Sequence, residues 1–188
     1  FFGRDGYLYL SVGDEGTDYD GLHNTQMITN GLFSGVLRID VNQDPAKSHP
    51  IRRQPKDGNT LGPIPAGWPH SYTANYYIPN DNPWLDTNGS VLEEFYCIGL
   101  RSPWSMTYAA ANDRIWLGDV GQSAVEEIDL IFKGANCQWE YMEGNIPAQM
   151  PKPATIIGTE DPPLYTYPHD ASGAGCVIGG YVYEGATN

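Results

Sequence analysis

The sequence predicts an all-β fold made of many short strands joined by tight turns. Aromatic residues are 12% of the chain, and strands favour aromatic side chains because these pack well on a pleated surface. Glycine and proline contribute 22 and 15 residues, and tight turns depend on both types. Short alternating segments separated by such turn residues are typical of a β-propeller or a β-sandwich, and the pattern alone does not separate the two.

Two strands are predicted in the first quarter of the chain. Gly6–Val12 alternates Tyr and Leu after a turn, and Gly35–Val41 follows a polar stretch. Residues 42–90 contain eight prolines and little periodicity, which argues against long helices and central strands there. We therefore expect a long loop or an insertion over residues 42–90.

A run of closely spaced strands is predicted in the second half. Their spacing of roughly ten residues indicates an antiparallel meander, which is one propeller blade or part of a sandwich. The four strands are Glu94–Ile98, Trp104–Ala109, Arg114–Gly118 and Glu126–Phe132. Two further short strands are predicted around a Pro-rich connection, at Leu164–Tyr167 and Val177–Tyr183.

Charge and cysteine content narrow the possible partners. A formal net charge of −13 repels phosphate backbones, so nucleic acid is not an expected partner, whereas divalent cations are tolerated well. No apolar run approaches the ~20 residues that span a bilayer. Cys97, Cys137 and Cys176 match no zinc pattern. One disulfide with one free thiol is possible, but three buried thiols acting as small hydrophobic side chains fit better.

Two residues have settings suited to a catalytic site. Asp14 follows a predicted strand beside glycines, where a carboxylate can orient a histidine base or bind a cation, although capping a turn is the simpler role. Arg101 lies between Gly99 and Pro103 on a predicted loop, where its planar guanidinium can bind a carboxylate or a quinone oxygen. The simpler role for Arg101 is a surface side chain packed on Trp104.

The segment from Gly118 to Asp129 has the composition of a calcium loop. Its glycines expose backbone carbonyls, and Glu126, Glu127 and Asp129 add carboxylates, which are the oxygen ligands that Ca²⁺ prefers. The EF-hand spacing is absent, and a polar hairpin with outward carboxylates would have the same composition. Common nucleotide-binding and hydrolase motifs are also absent from the sequence.

Taken in order along the chain, several motifs resemble the glucose/sorbosone dehydrogenase family. The most specific match runs from Gly118 to Trp139 and contains GDVGQ, EEID and GANCQW. It is accompanied by FGRDGYLY (2–9), VGD (12–14), GVLRIDV (35–41), IPNDNP (78–83), GLRSPW (99–104) and GGYVY (179–183). The resemblance implies a partial six-bladed β-propeller of about three blades with long Pro-rich loops. It also implies pyrroloquinoline quinone (PQQ) held by Ca²⁺ on the top face of the propeller.

The resemblance assigns candidate roles to nine residues. By analogy Asp14 supports a histidine base, and Arg101 faces the quinone and the substrate oxygen. Further cofactor contacts fall on Ser102, Val120, Gly121 and Gln122. Metal ligands fall on the carbonyls of Gly121 and Gln122 at a catalytic Ca²⁺, and on Glu127, the Cys137 carbonyl and Glu126 at a structural Ca²⁺.

The chain also departs from the family pattern at several positions. The histidine base of the family falls upstream of Phe1, and Glu184 stands where the family has a basic residue that contacts the cofactor. Ser102 replaces an Asn, and Cys137 and Gln138 replace Tyr and Gly. We therefore expect residues 1–188 to be a fragment of a single propeller domain, inactive alone and weak in binding the quinone.

The parent protein implied by the resemblance is a PQQ- and calcium-dependent aldose dehydrogenase, periplasmic or extracellular, that oxidises the anomeric carbon of a sugar. Hydride passes to the quinone and then to an external acceptor that the sequence does not identify. The alternative is a non-enzymatic propeller of the hedgehog-interacting-protein type, which binds a glycan or a protein. Glu184 and the missing histidine favour that alternative, whereas Asp14, Arg101 and the calcium-type loop favour the enzyme.

Overall fold

The computed structural model describes residues 1–53, 75–169, 175–183 and 185, which form strands and loops. One short 3-10 turn, Asp18–Asp20, is the helical element of these ranges, and no helix in them is long and apolar enough to cross a membrane. The strands are β1 (Leu8–Val12), β2 (Gly35–Ile39), β3 (Ser48–Pro50), β4 (Tyr77–Pro79), β5 (Phe95–Ile98), β6 (Pro103–Ala109), β7 (Arg114–Asp119), β8 (Val125–Ile131), β9 (Ala135–Asn136), β10 (Met142–Glu143), β11 (Ile146–Pro147), β12 (Thr159–Glu160) and β13 (Tyr165–Pro168). The all-β prediction is confirmed.

The first sheet has five strands in the order β1-β2-β5-β9-β12. The first three pair antiparallel, and β9 and β12 extend the sheet with short parallel pairings. Every residue of β2 is buried, because strands pair with both of its edges and side chains cover both of its faces. β2 is therefore an interior strand of this sheet.

The second sheet is a four-stranded antiparallel meander in the order β13-β8-β7-β6. This up-and-down arrangement is the form of a propeller blade. Strands β6 and β7 are joined by residues 110–113, and Asp113 adopts a positive φ of 56° that suits a tight turn. The predicted end of one strand at Ala109 and start of the next at Arg114 are thus confirmed.

The prediction of one antiparallel run from residue 94 to 132 is wrong for its first strand. β5 pairs with β2 in the first sheet, whereas β6, β7 and β8 belong to the second. Gly99, with φ of 80°, begins the segment that carries the chain between the sheets, and a Cβ there would lie 2.6 Å from Asn136 Oδ1. Alternation within a strand does not reveal which sheet the strand joins, so the sequence pattern could not separate them.

The strand predicted at Val177–Tyr183 is absent, since these described residues form no β-ladder. The segment crosses the face of the second sheet, where Val177 and Gly179 lie beside Gly118. Its backbone therefore does not run along a strand edge, and alternating side chains alone cannot create a ladder. The other late strand, predicted at Leu164–Tyr167, is confirmed as β13.

The interval 42–90, expected to be a loop or an insertion, contains a small sheet of its own. β3 and β4 pair antiparallel, with His49 opposite Ile78. Residues 54–74 of this interval lie outside the described residues, as does Glu184 near the end of the chain.

The core lies between the two large sheets. The first sheet contributes Tyr9, Val36 and Cys97, and the second contributes Leu117 and Ile131.

The prediction of three buried thiols is wrong for one of them. Cys97 and Cys137 are buried, but Cys176 is exposed because its segment lies on the outer face of the second sheet.

Candidate functional site

Arg101 binds the loop that follows β7 through several hydrogen bonds. Its Nη1 donates hydrogen bonds to the carbonyls of Val120 (2.9 Å) and Gly121 (2.8 Å). Its Nε and Nη2 donate to Gln122 Oε1 at 3.0 and 2.8 Å. Four predicted cofactor-site residues are thus brought together, and four of the five guanidinium N–H groups are in use.

Asp119 positions the backbone from which Arg101 extends. Its carboxylate accepts hydrogen bonds from Arg101 N (2.8 Å) and Ser102 N (2.6 Å). Burial raises the pKa of Asp119, while these N–H groups and the Arg101 charge act in the opposite direction. Sequence reasoning did not single out Asp119 as a site residue, although its place at the end of a strand, two residues before Gly121, was a usable signal.

Asp14 lies behind the same cluster and reaches it through Trp139. One oxygen accepts a hydrogen bond from Gly16 N (3.0 Å), and the other accepts one from Trp139 Nε1 (2.9 Å). The indole ring lies beneath Arg101, with 5.7 Å between the guanidinium carbon and the ring centroid. Burial raises the pKa of Asp14, and the two hydrogen bonds partly offset this. Asp14 therefore caps a turn and also faces the predicted site.

Gly121 lies at the tightest point of the β7–β8 connection. A Cβ at this position would overlap the Val125 carbonyl oxygen and lie 2.8 Å from Glu143 Oε1. Glu143 in turn accepts hydrogen bonds from Ser123 N (2.8 Å), Ala124 N (2.7 Å) and Val125 N (3.2 Å). Glu143, in β10, was not predicted as a site residue, because a single Glu some twenty residues further along the chain belongs to no motif.

The two glutamates predicted as calcium ligands lie on opposite faces of β8. Glu126 is fully buried on the outer face, where it contacts His169 Nε2 (2.5 Å) and accepts a hydrogen bond from Val177 N (2.9 Å). Glu127 points toward the first sheet and accepts one from Gly144 N at 2.6 Å. Neighbours in a strand alternate between faces, so the structure does not bring these two carboxylates together.

A buried acidic cluster consequently lies between the sheets, formed by Asp119, Glu127 and Asp129. Asp119 is paired with Glu127 across the β7–β8 ladder, and Asp129 lies two residues further along β8. Burial, reinforced by the neighbouring carboxylates, raises the pKa of both Glu127 and Asp129. Cys137 lies in the same inter-sheet space, since its thiol packs in the cluster that contains Leu117.

The donor set of this acidic cluster is compatible with a cation. Both carboxylate oxygens of Asp129 are buried without a hydrogen-bond partner, and Asp129 is 2% exposed. A buried carboxylate without a partner must be protonated or neutralised by a cation. In the described ranges, no group of three or more His, Cys, Asp or Glu side chains is arranged to hold a metal ion.

Comparison with known proteins gives both a family and a fold. The family described as Glucose / Sorbosone dehydrogenase matches residues 68–184. The HIPL1 and HIPL2 proteins of Arabidopsis thaliana are each 32% identical over 197 and 196 residues, covering 100% of this chain. The alignments cover 26% and 25% of those proteins, so the chain spans about a quarter of their length.

A solved structure resembles the fold. The soluble aldose sugar dehydrogenase of Escherichia coli, in its apo form, matches with a TM-score of 0.54 and 19% identity, over 92% of this chain and 40% of that one. The predicted β-propeller architecture is therefore confirmed, while the number of blades remains a prediction. The family match covers more than half of the chain and includes the Arg101, Gly121 and Glu127 segments. The chain belongs to the glucose/sorbosone dehydrogenase family.

Proposed function

We propose that the chain is part of a PQQ- and calcium-dependent sugar dehydrogenase that oxidises the anomeric carbon of an aldose. The observation that carries this proposal is the guanidinium of Arg101, fixed beside the Gly121 carbonyl and above Trp139. A quinone with several carboxylates needs a positive charge in its pocket, because burying unpaired anions is costly. Membership of the family supports the same activity.

The residues of the chain have distinct roles in this proposal. When bound, the quinone would supply the acceptor for a hydride from the sugar. Arg101 has one guanidinium N–H outside its internal hydrogen bonds, which suits it to bind a carboxylate or quinone oxygen. Asp14 is anchored by Trp139 and Gly16, and its carboxylate orients a histidine base supplied by a neighbouring part of the propeller.

Two cation positions are proposed. The Gly121 carbonyl accepts a hydrogen bond from Arg101 Nη1, and a carbonyl oxygen has a second lone pair that can bind a cation; Gln122 is adjacent. We assign the carbonyls of both residues to a catalytic Ca²⁺. Glu127 and the Cys137 carbonyl, with Asp129 as an added carboxylate, are assigned to a structural Ca²⁺.

The test is sugar oxidation by the intact protein loaded with PQQ and CaCl₂. We expect aldose-dependent reduction of a redox dye, and Arg101→Ala should lower kcat/KM by about 100-fold or more, because one preorganised charged contact is lost. Arg101→Lys should restore only part of the activity, since an ammonium group cannot form the same planar fork. Arg114→Ala, at an exposed position at the start of β7, is the matched control. Full activity in Arg101→Ala would exclude the proposed role.

A second candidate function, binding without catalysis, is favoured by the hydrogen bonds that Arg101 makes within the chain. Four of its N–H groups already donate hydrogen bonds to Val120, Gly121 and Gln122, so the guanidinium needs no cofactor to satisfy these donors. A propeller that binds a glycan or a protein without chemistry would have such a loop. In that case PQQ and Ca²⁺ should give neither dye reduction nor a change in Tm.

For either function we propose a periplasmic or extracellular location.

A further inference from the structure

Two cysteines meet where β5 and β9 pair. Cys97 lies in β5, and Cys137 directly follows β9; these strands pair in parallel with Ile98 opposite Asn136. Cys137 N donates a hydrogen bond to Ile98 O at 2.8 Å, which holds the two backbones together at this point. Both thiols are buried in the same apolar cluster, and the two residues are 0% and 4% exposed.

The two side chains also point to the same face of the paired strands, because Ile98 is opposite Asn136 and side chains alternate along a strand. The neighbouring Cys97 thiol, together with burial, raises the pKa of Cys137. A bond between them requires side-chain rotation and a backbone adjustment that brings their Cα atoms within about 7 Å. Cys176 differs from both, because it is exposed and its Sγ contacts the Val177 carbonyl at 3.8 Å.

We propose that Cys97 and Cys137 form a disulfide in the mature protein, while Cys176 remains a free thiol. The bond forms by thiol–disulfide exchange with a small-molecule or protein disulfide. One cysteine thiolate attacks that disulfide and gives a mixed disulfide, and the other cysteine then displaces the second thiol. The two cysteines lose two protons and two electrons, and the reagent disulfide gains them as two thiols.

The position of this bond gives it a structural purpose. Residues 97–137 include the crossing at Gly99, all of β6, β7 and β8, and the segments that carry Arg101 and Glu127. The disulfide would close this 41-residue segment, from 97 to 137 inclusive, into a covalent loop and restrict its unfolded state. It would link β5, which precedes β6–β8 in the chain, to the segment after β9, which follows them. This inference rests on the cysteine geometry alone and is independent of the catalytic proposal.

The decisive test is a peptide map of the intact protein secreted into an oxidising compartment, or refolded with glutathione disulfide. Free thiols are alkylated under denaturing conditions before digestion without reductant. We expect one cross-linked peptide pair that contains Cys97 and Cys137 and separates on reduction, with Cys176 recovered in the alkylated form. Recovery of Cys97 and Cys137 as alkylated thiols, or a bond from either one to Cys176, would overturn the proposal.

A second measurement does not depend on the peptide map. Reduction should lower the Tm of the wild-type protein by on the order of 5–10 °C, because the loop closure is lost. Cys176→Ser should show the same drop, whereas the double variant Cys97→Ser, Cys137→Ser should be insensitive to reductant. If the double variant does not fold, the single variant Cys137→Ser provides the check, since its Tm should not respond to reductant. An equal response in wild type and Cys137→Ser would contradict the proposal.

Discussion

Asp14 uses its two carboxylate oxygens on two different elements. One oxygen closes the turn after β1 through Gly16 N, and the other fixes the indole of Trp139, which lies beneath Arg101. A single side chain therefore couples the turn after β1 to the segment after β9 that supports Arg101. This double use explains why both roles considered for Asp14 from the sequence, turn cap and site residue, are compatible.

Asp14→Asn should lower the free energy of unfolding by about 1–3 kcal/mol. The amide offers one oxygen, so either Gly16 N or Trp139 Nε1 would face an NH₂ group and lose its acceptor. Urea unfolding followed by Trp fluorescence measures the change. Asp18→Asn is the control, because Asp18 is exposed and its contact with Gln122 Nε2 is long, at 3.4 Å. A stability of Asp14→Asn within ~0.5 kcal/mol of wild type would contradict this account.

Glu140 makes stability depend on pH. Burial, with the nearby carboxylates of Asp20 and Asp14, raises the pKa of Glu140 from 4.5 to about 7. The folded state therefore holds a proton that the unfolded state releases, so stability falls as the pH rises from about 4.5 to 7. Glu140→Gln removes this penalty and should be more stable than wild type at pH 7, by about 1–2 kcal/mol after solvent screening, with no advantage at pH 4. Parallel denaturation curves at pH 4, 5.5 and 7 measure it; an advantage that does not change with pH would disprove the assignment.

At the scale of single elements, β8 carries buried carboxylates on both of its faces. Its odd-numbered residues Glu127 and Asp129 face the space between the sheets, and Glu126 faces His169 on the outside. Glu126, Glu127 and Asp129 looked like one cluster in the sequence because they are close in the chain. Side chains alternate between the faces of a strand, so Glu126 lies on the opposite face of β8 from the other two carboxylates. The predicted calcium ligands therefore do not lie on one side of the strand.

The connection between β7 and β8 depends on the absence of a side chain at Gly121. Gly121→Ala would force the Cβ into the Val125 carbonyl and disturb the bonds that Glu143 makes to the same loop. We expect a loss of about 2–3 kcal/mol in stability, as strain of this kind is among the larger single-residue effects. Thermal unfolding provides the measurement. Gly180→Ala is the matched control, because a Cβ there meets nothing within 4 Å; equal Tm values for the two variants would rule out the crowding argument.

Local patterns predicted local structure well. Alternation and turn residues located β1, β6, β7 and β8 to within two residues of their observed ends. Sheet membership of β5 escaped prediction, because it is decided by the crossing at Gly99 and by pairing with a strand some sixty residues earlier. Glu143 and Trp139 escaped for the same reason: their partners Val125 and Asp14 are distant in sequence, and no periodicity encodes such contacts.

At the scale of the whole molecule, the two sheets enclose acid as well as apolar side chains. Leu117 and Ile131 pack against the first sheet, and Asp119, Glu127 and Asp129 lie on the same face of the second. Three carboxylates in one inter-sheet space repel each other when ionised, so the packing of the blades depends on what neutralises them. Because the net charge of the chain is −13, the rest of the surface does not neutralise these three carboxylates.

Calcium should therefore stabilise the packing of the two sheets. Binding only to the folded state at 100 times Kd adds about 2.7 kcal/mol, which corresponds to a rise in Tm of roughly 5–10 °C. The comparison is the Tm of the intact protein in EDTA and in saturating CaCl₂. Glu127→Gln should lose the calcium-dependent rise because its carboxylate faces the cluster, whereas Glu126→Gln should retain it because that side chain faces His169 on the opposite side of β8. Equal Tm values in EDTA and CaCl₂ for the wild-type protein would show that protons, not calcium, neutralise the acids between the sheets. Loss of the rise in Glu126→Gln but not in Glu127→Gln would place the ion on the outer face.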